Sequence, residues 1–110
     1  MVHKMRLVDF AFKAIKNGTK DIEIRLNDEK RQLIKIGDKI EFKNLDTDEV
    51  IIVDVINLYH FDSFADLFDN FKRDRLGLKE DDKADIMNSF YTKDEEKKYG
   101  VLGIQIKINM

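Results

Sequence analysis

The 110-residue sequence contains no cysteine and no proline. Without cysteine there can be no disulfide, no thiolate nucleophile and no Cys-ligated zinc or iron site. No stretch approaches the roughly 20 apolar residues that a membrane span needs, and no apolar run follows the charged amino terminus as it would in a secretory signal. These absences predict a protein of a reducing compartment, so we expect a cytoplasmic location and no membrane partner.

The charges are unevenly distributed along a chain whose length is that of one ordinary domain, residues 1–110. The net charge is −2, but residues 1–45 hold 11 Lys and Arg against 7 Asp and Glu, whereas residues 46–110 hold 9 against 15. An acidic surplus is typical of solvent-facing helices. We therefore expect any nucleic-acid site to lie in the basic half, residues 1–45.

Motifs that bind metals or cofactors are missing as well. Neither His3 nor His60 has a partner at the spacing of metal ligands, so we predict no metal site. No phosphate-binding loop, dinucleotide fingerprint or serine elbow is present, so we expect no cofactor. The motifs alone give no positive sign of catalysis.

A strict alternation of apolar and charged residues marks one strand. Ile22, Ile24 and Leu26 alternate with Glu23 and Arg25, and this period of two predicts a half-buried strand with the two sets on opposite faces. We expect the apolar set to point into a β-barrel and the charged set to face a cleft.

The rest of the chain predicts several short strands and a few helices. In the first helix we expect Asp9 as the N-cap, with Phe10 and Ile15 on the apolar face. A second helix follows the N-cap candidate Ser63, and a third is expected over residues 84–91. The regular spacing of the short strands indicates an α+β fold, a mixed β-barrel of five or six strands with inserted helices.

Three charged side chains crowd the alternating strand: Lys20 at its entrance, then Glu23 and Arg25 on one face. Arg offers a planar fork of donors, Lys a compact cation, and Glu an acceptor for an exocyclic amine or a ring N–H. The alternative is an ordinary exposed strand face with ion pairs worth about 0–1 kcal/mol each.

Two segments make the sequence similar to a known family. Residues 15–26 read Ile-Lys-Asn-Gly-Thr-Lys-Asp-Ile-Glu-Ile-Arg-Leu, and residues 34–42 place Gly-Asp before a strand. Both resemble the signature of the ASCH domain family, relatives of the PUA RNA-binding domain, and residues 90–104 resemble the closing segment of small stand-alone members.

This resemblance implies a PUA-like barrel that binds RNA or a modified nucleotide, with Lys20, Glu23 and Arg25 as the cleft residues. Tyr91 and Tyr99 are candidates for stacking on a base, the alternative for both being packing at the barrel edge.

The resemblance also raises the possibility of catalysis. Some relatives resemble an amidohydrolase acting on an acylated nucleoside such as N4-acetylcytidine, through a threonine nucleophile and a lysine on this strand. Here Lys20 is kept but Glu23 occupies the threonine position, and a carboxylate would form a mixed anhydride rather than an ester. That mechanism does not carry over, so the enzyme status is left open.

Overall fold

The computed structural model describes residues 1–109, which form one mixed sheet with helices inserted between its strands. The chain runs through β1 (Val2–Leu7), α1 (Asp9–Lys16), β2 (Ile22–Leu26), β3 (Lys39–Asn44), β4 (Val50–Phe61), α2 (Phe64–Asn70), α3 (Lys93–Tyr99) and β5 (Val101–Ile108). Short 3-10 helices span Arg31–Leu33, Arg73–Leu76 and Ala84–Ser89. None of the helices within residues 1–109 is long and apolar enough to cross a membrane.

The five strands lie in the order β1-β3-β4-β5-β2. Strands β1 and β3 are parallel, and the remaining three neighbouring pairs are antiparallel. The sheet curls into a half-barrel, which confirms the predicted α+β fold, and it has five strands where five or six were expected. Its edge strands, β1 and β2, do not pair with each other, but the side chain of Arg25 on β2 donates a hydrogen bond to the carbonyl oxygen of Arg6 on β1, at 3.1 Å. We call the opening between these two edges the seam.

Two apolar clusters cover the two faces of the sheet. The inner core packs α1 against the sheet and comprises Met5, Leu7, Phe12, Ile15, Ile34, Ile40, Phe42, Val53, Val55, Leu102, Ile104 and Ile106. The outer core packs the chain between β4 and β5 against β2, and comprises Ile22, Ile24, Leu26, Phe64, Leu67, Phe68, Leu76, Met87 and Val101. Neighbouring residues of β5 alternate between the two cores, as a pleated strand requires.

The alternation predicted for β2 is confirmed, but the face assigned to its apolar residues is wrong. Ile22, Ile24 and Leu26 are buried in the outer core, beneath the helical segments. Glu23 and Arg25 pair with the inner-core residues Ile104 and Leu102 and therefore share their side of the sheet. A period of two separates the two sets but does not say which of them faces the barrel.

Helix α1 also differs in detail from its prediction. Its N-cap is Val8 rather than Asp9. Asp9 is instead the first residue of the helix, where its side chain accepts a hydrogen bond from Asn44 and forms an ion pair with Lys13. Phe12 is fully buried in place of Phe10, whose side chain is exposed. Because two phenylalanines stand two residues apart, helical geometry allows only one of them to face the core.

The helical segments between β4 and β5 are held by their caps. Ser63 accepts a hydrogen bond from the backbone N–H of Asp66, which confirms it as the N-cap of α2, and the buried carboxylate of Glu96 accepts another from the N–H of Phe64. The helix predicted over residues 84–91 is a 3-10 helix, Ala84–Ser89. Short 3-10 turns of this kind are common as connectors between longer elements.

Candidate functional site

Three charged side chains meet at the base of the seam. The Lys20 ammonium lies 2.9 Å from one carboxylate oxygen of Glu23, and the Arg25 guanidinium lies 2.9 Å from the other. Only 7% of the Lys20 side chain, 4% of Glu23 and 15% of Arg25 is exposed. The three residues predicted from the sequence are therefore together, but as a buried cluster rather than as an exposed strand face. We call Lys20, Glu23 and Arg25 the charged cluster.

The carboxylate of Glu23 has no room for a further donor. Its Oε1 accepts from the Lys20 ammonium and, at 3.2 Å, from the backbone N–H of Ile24. Its Oε2 accepts from both Nε and Nη2 of Arg25, at 3.2 and 2.9 Å. A carboxylate offers about four acceptor positions, and four donors already fill them. Glu23 therefore positions the two cations, and the ligand acceptor role expected from the sequence is not the one that the geometry favours.

The electrostatics of the cluster keep Glu23 ionised. Burial by itself would raise the pKa of Glu23, but the positive charges of Lys20 and Arg25 and their hydrogen bonds outweigh burial and lower the pKa to about 2. Burial likewise opposes the charge on Arg25, and the Glu23 carboxylate outweighs it, so the pKa of Arg25 is raised. The cluster carries one surplus positive charge at neutral pH, which favours an anion or an electron-rich group as its partner.

A cleft of about 350 Å³ opens above the charged cluster along the seam. One wall comes from the end of β1 and the start of α1, and the other from residues 76–78 and 87–91. Four large apolar side chains at the lining are exposed rather than packed: Val8 (53%), Phe10 (63%), Leu45 (53%) and Phe90 (68%). A few convergent polar groups beneath an apolar rim are the usual features of a small-molecule site.

The 3-10 helix Arg73–Leu76 and the glycine after it hold Lys20 in place. Arg75 forms a bidentate ion pair with Asp21, with both contacts at 2.9 Å, which ties this helix to the entrance of β2. Gly77 follows with a left-handed φ of 73° and lies against the aliphatic stem of Lys20, so closely that a Cβ built on Gly77 would stand 2.6 Å from Cδ of Lys20. Glycine is required there by both conformation and space.

Replacing Gly77 by Ala should therefore disturb the site as well as the backbone. The left-handed conformation alone should cost about 1–2 kcal/mol of stability, and displacement of Lys20 should add to that loss. Gly18→Ala is the matched control, because Gly18 has a φ of 86° and open space around its Cβ position. Denaturant unfolding of both variants measures the difference. Equal losses would show that the stem of Lys20 moves aside freely.

The structure separates the two tyrosines predicted to stack on a ligand. Tyr91 lines the cleft and lies beside the Arg25 guanidinium, but its ring already stacks on Phe64, with centroids 5.6 Å apart and planes inclined by 17°. Tyr99 lies outside the cleft lining and borders a different hollow with His60, Lys97 and Lys98. The exposed aromatic rings at the cleft are instead Phe10 and Phe90.

Sequence reasoning missed these two phenylalanines and Arg6, which also lines the cleft. Phe10 was assigned to the buried face of α1, and Phe90 falls just beyond the 3-10 helix Ala84–Ser89. The only available signal was the pair of phenylalanines in α1, of which one has to be exposed.

Comparison with known proteins agrees with this architecture. Hypothetical protein PH0355 has a crystal structure similar to this chain, with a TM-score of 0.85 and 32% sequence identity over 99% of this chain and 100% of that one. Protein PF0455 from Pyrococcus furiosus, solved by NMR, gives a TM-score of 0.72 and 32% identity over 98% of this chain and 97% of that one. ASCH from Zymomonas mobilis shares the fold, with a TM-score of 0.60 and 13% identity over 96% of this chain and 66% of that one. No curated protein matches.

The curled half-barrel with its inserted helices is the fold of the PUA-like class. Within that class, the ASCH domain profile matches residues 5–109, and the chain belongs to the ASCH domain family. This is a PUA-like family thought to bind RNA.

Proposed function

We propose that this chain binds RNA or a modified nucleotide in the seam cleft, through Lys20 and Arg25 held in place by Glu23. The observation that carries the proposal is the buried charged cluster at the base of an apolar-rimmed cleft. Burying charges costs more free energy than apolar packing of the same volume, so such a cluster is poorly explained by stability alone. Perturbed charged groups that converge in a cleft are typical of functional sites. The absence of cysteine suits a reducing compartment such as the cytoplasm.

Binding accounts for the lining of the cleft better than hydrolysis of an acylated nucleoside does. Lys20 is present, but among residues 1–109 the lining includes no Ser, Thr or Cys that would serve as a nucleophile. Glu23, at the position of the relatives' threonine, is ionised and engaged by four donors. What the site does offer is cationic donors below and aromatic surface above, as in proteins that bind single-stranded RNA.

Phe90→Ala tests the proposal with little risk to the fold, because Phe90 is 68% exposed. Stacking of one base on an aromatic ring is worth about 1–3 kcal/mol, so the variant should bind a short single-stranded RNA at least fivefold more weakly than the wild type. Ile36→Ala is the control, since Ile36 is 63% exposed and lies outside the cleft lining. Isothermal titration with a mixed-sequence RNA gives the dissociation constants.

Two results would contradict the proposal. One is that no RNA or nucleotide binds to the wild-type chain, and the other is that Phe90→Ala and Ile36→Ala bind RNA equally well. Incubation with N4-acetylcytidine tests the alternative function. Release of cytidine over many turnovers would favour the hydrolase.

A further inference from the structure

The hydrogen-bonding groups left over in the charged cluster are all donors. The Lys20 ammonium has Glu23 as its one polar partner within residues 1–109, and the Arg25 guanidinium has the hydroxyl of Tyr91 beside it in addition to Glu23 and Arg6. Nε and Nη2 of Arg25 are used by Glu23 and by the carbonyl oxygen of Arg6. Since Glu23 accepts four hydrogen bonds already, the charged cluster has no free acceptor, and a Tyr91 hydroxyl that accepts from Arg25 still has its own hydrogen to donate.

We infer that the cleft takes a nucleobase edge that presents two adjacent hydrogen-bond acceptors, with its ring against Phe10 or Phe90. This inference rests on the proposed function and names the ligand chemistry. Two cations that share one carboxylate lie close enough to reach neighbouring acceptors. A base amine pointing at them would instead be left without a partner, which costs about 1–3 kcal/mol when it is buried.

The rim favours a base over a phosphate group. Val8, Phe10, Leu45 and Phe90 give the mouth of the cleft exposed apolar surface, which a planar heterocycle covers and a hydrated phosphate does not. The two cations at the base of the cleft expose little surface, 7% of the Lys20 side chain and 15% of the Arg25 side chain, and the exposed cation of the lining is Arg6 on the β1 wall. This arrangement suits the in-plane lone pairs of a base inserted edge-on.

The four common bases differ in this respect. Guanine has O6 beside N7, a pair that Arg and Lys often recognise, and cytosine has O2 beside N3. Adenine places its amine next to N1 and N7, and uracil places an N–H between its two carbonyl groups. The charged cluster should therefore prefer guanine or cytosine to adenine and uracil.

The test compares the four nucleoside 5′-monophosphates, which share ribose and phosphate, so that differences in affinity report on the base. The tighter of GMP and CMP should bind about tenfold more tightly than AMP and UMP, the lower range for recognition of one base edge. The same comparison is repeated with uridine pentanucleotides whose central base is varied. These longer ligands should bind more tightly than mononucleotides because they make additional contacts. Arg25→Lys keeps the charge beside Glu23 but removes the fork, and should abolish most of the preference.

Each result decides the inference. Equal binding of all four bases, or tightest binding of AMP or UMP, would overturn it while leaving RNA binding intact. Inorganic phosphate that binds as tightly as GMP and CMP would also overturn it, because the cleft would then be a phosphate site. If none of the mononucleotides or pentanucleotides binds, the proposed function fails together with the inference. A preference that survives in Arg25→Lys would assign the recognition to other residues.

Discussion

Replacing Glu23 by Gln should lower the free energy of unfolding by about 3–5 kcal/mol, the usual loss when one member of a buried ion pair is removed. The variant keeps the size of the side chain but leaves Lys20 and Arg25 buried side by side without a counter-charge. Its amide also turns a donor toward one of the two cations. Equilibrium unfolding in urea, monitored by circular dichroism, gives the free energy for the variant and the wild type.

Two further variants show whether the loss comes from uncompensated charge. Glu41→Gln on β3 is the matched control, because Glu41 is only half-buried and has no ion pair within residues 1–109, and it should change stability by less than about 0.5 kcal/mol. Adding Lys20→Met to Glu23→Gln should recover part of the loss, since one of the two cations is then gone. If Glu23→Gln were as stable as the wild type, water would have to compensate the two positive charges in place of the carboxylate.

The stability supplied by Glu23 should also depend on pH, and the direction follows from its lowered pKa. Folding lowers the pKa of Glu23 from its ordinary value of 4.5 to about 2. A carboxylate with a depressed folded-state pKa stabilises the fold fully above its unfolded pKa, and this contribution is lost as the pH falls through the folded pKa. A shift of this size corresponds to about 3 kcal/mol.

Comparing wild type with Glu23→Gln isolates this contribution from the other carboxylates. The stability difference between the two proteins should be largest above pH 4.5 and should shrink as the pH approaches about 2, where Glu23 becomes protonated and resembles Gln. Urea unfolding at a series of pH values measures it. A difference that stays constant across this range would show that Glu23 is not held ionised by Lys20 and Arg25.

The local patterns of the sequence determined the strands and the start of one helix. The period of two in Ile22–Leu26 was enough to predict β2 and to separate its apolar and charged sets, because successive side chains of a strand point to opposite faces. Ser63 was identifiable as an N-cap because its hydroxyl reaches a backbone N–H only three residues away. The grouping of Lys20 with Glu23 was likewise predictable, since the two residues are neighbours along the chain.

Long-range packing decided the rest, because it joins segments far apart in sequence. The apolar face of β2 lies outside the half-barrel because the segments between β4 and β5 cover it, and no pattern within β2 reports that cover. The exposure of Phe10 and Phe90 at one cleft depends on the curl that brings the start of α1 and residues 87–91 to opposite sides of the seam. Saturation of Glu23 depends on the same seam, which buries Lys20 against Gly77 and directs Arg25 toward β1. The sequence by itself thus determined which charged residues could meet, and the tertiary structure decided that they present donors rather than a free carboxylate to a ligand.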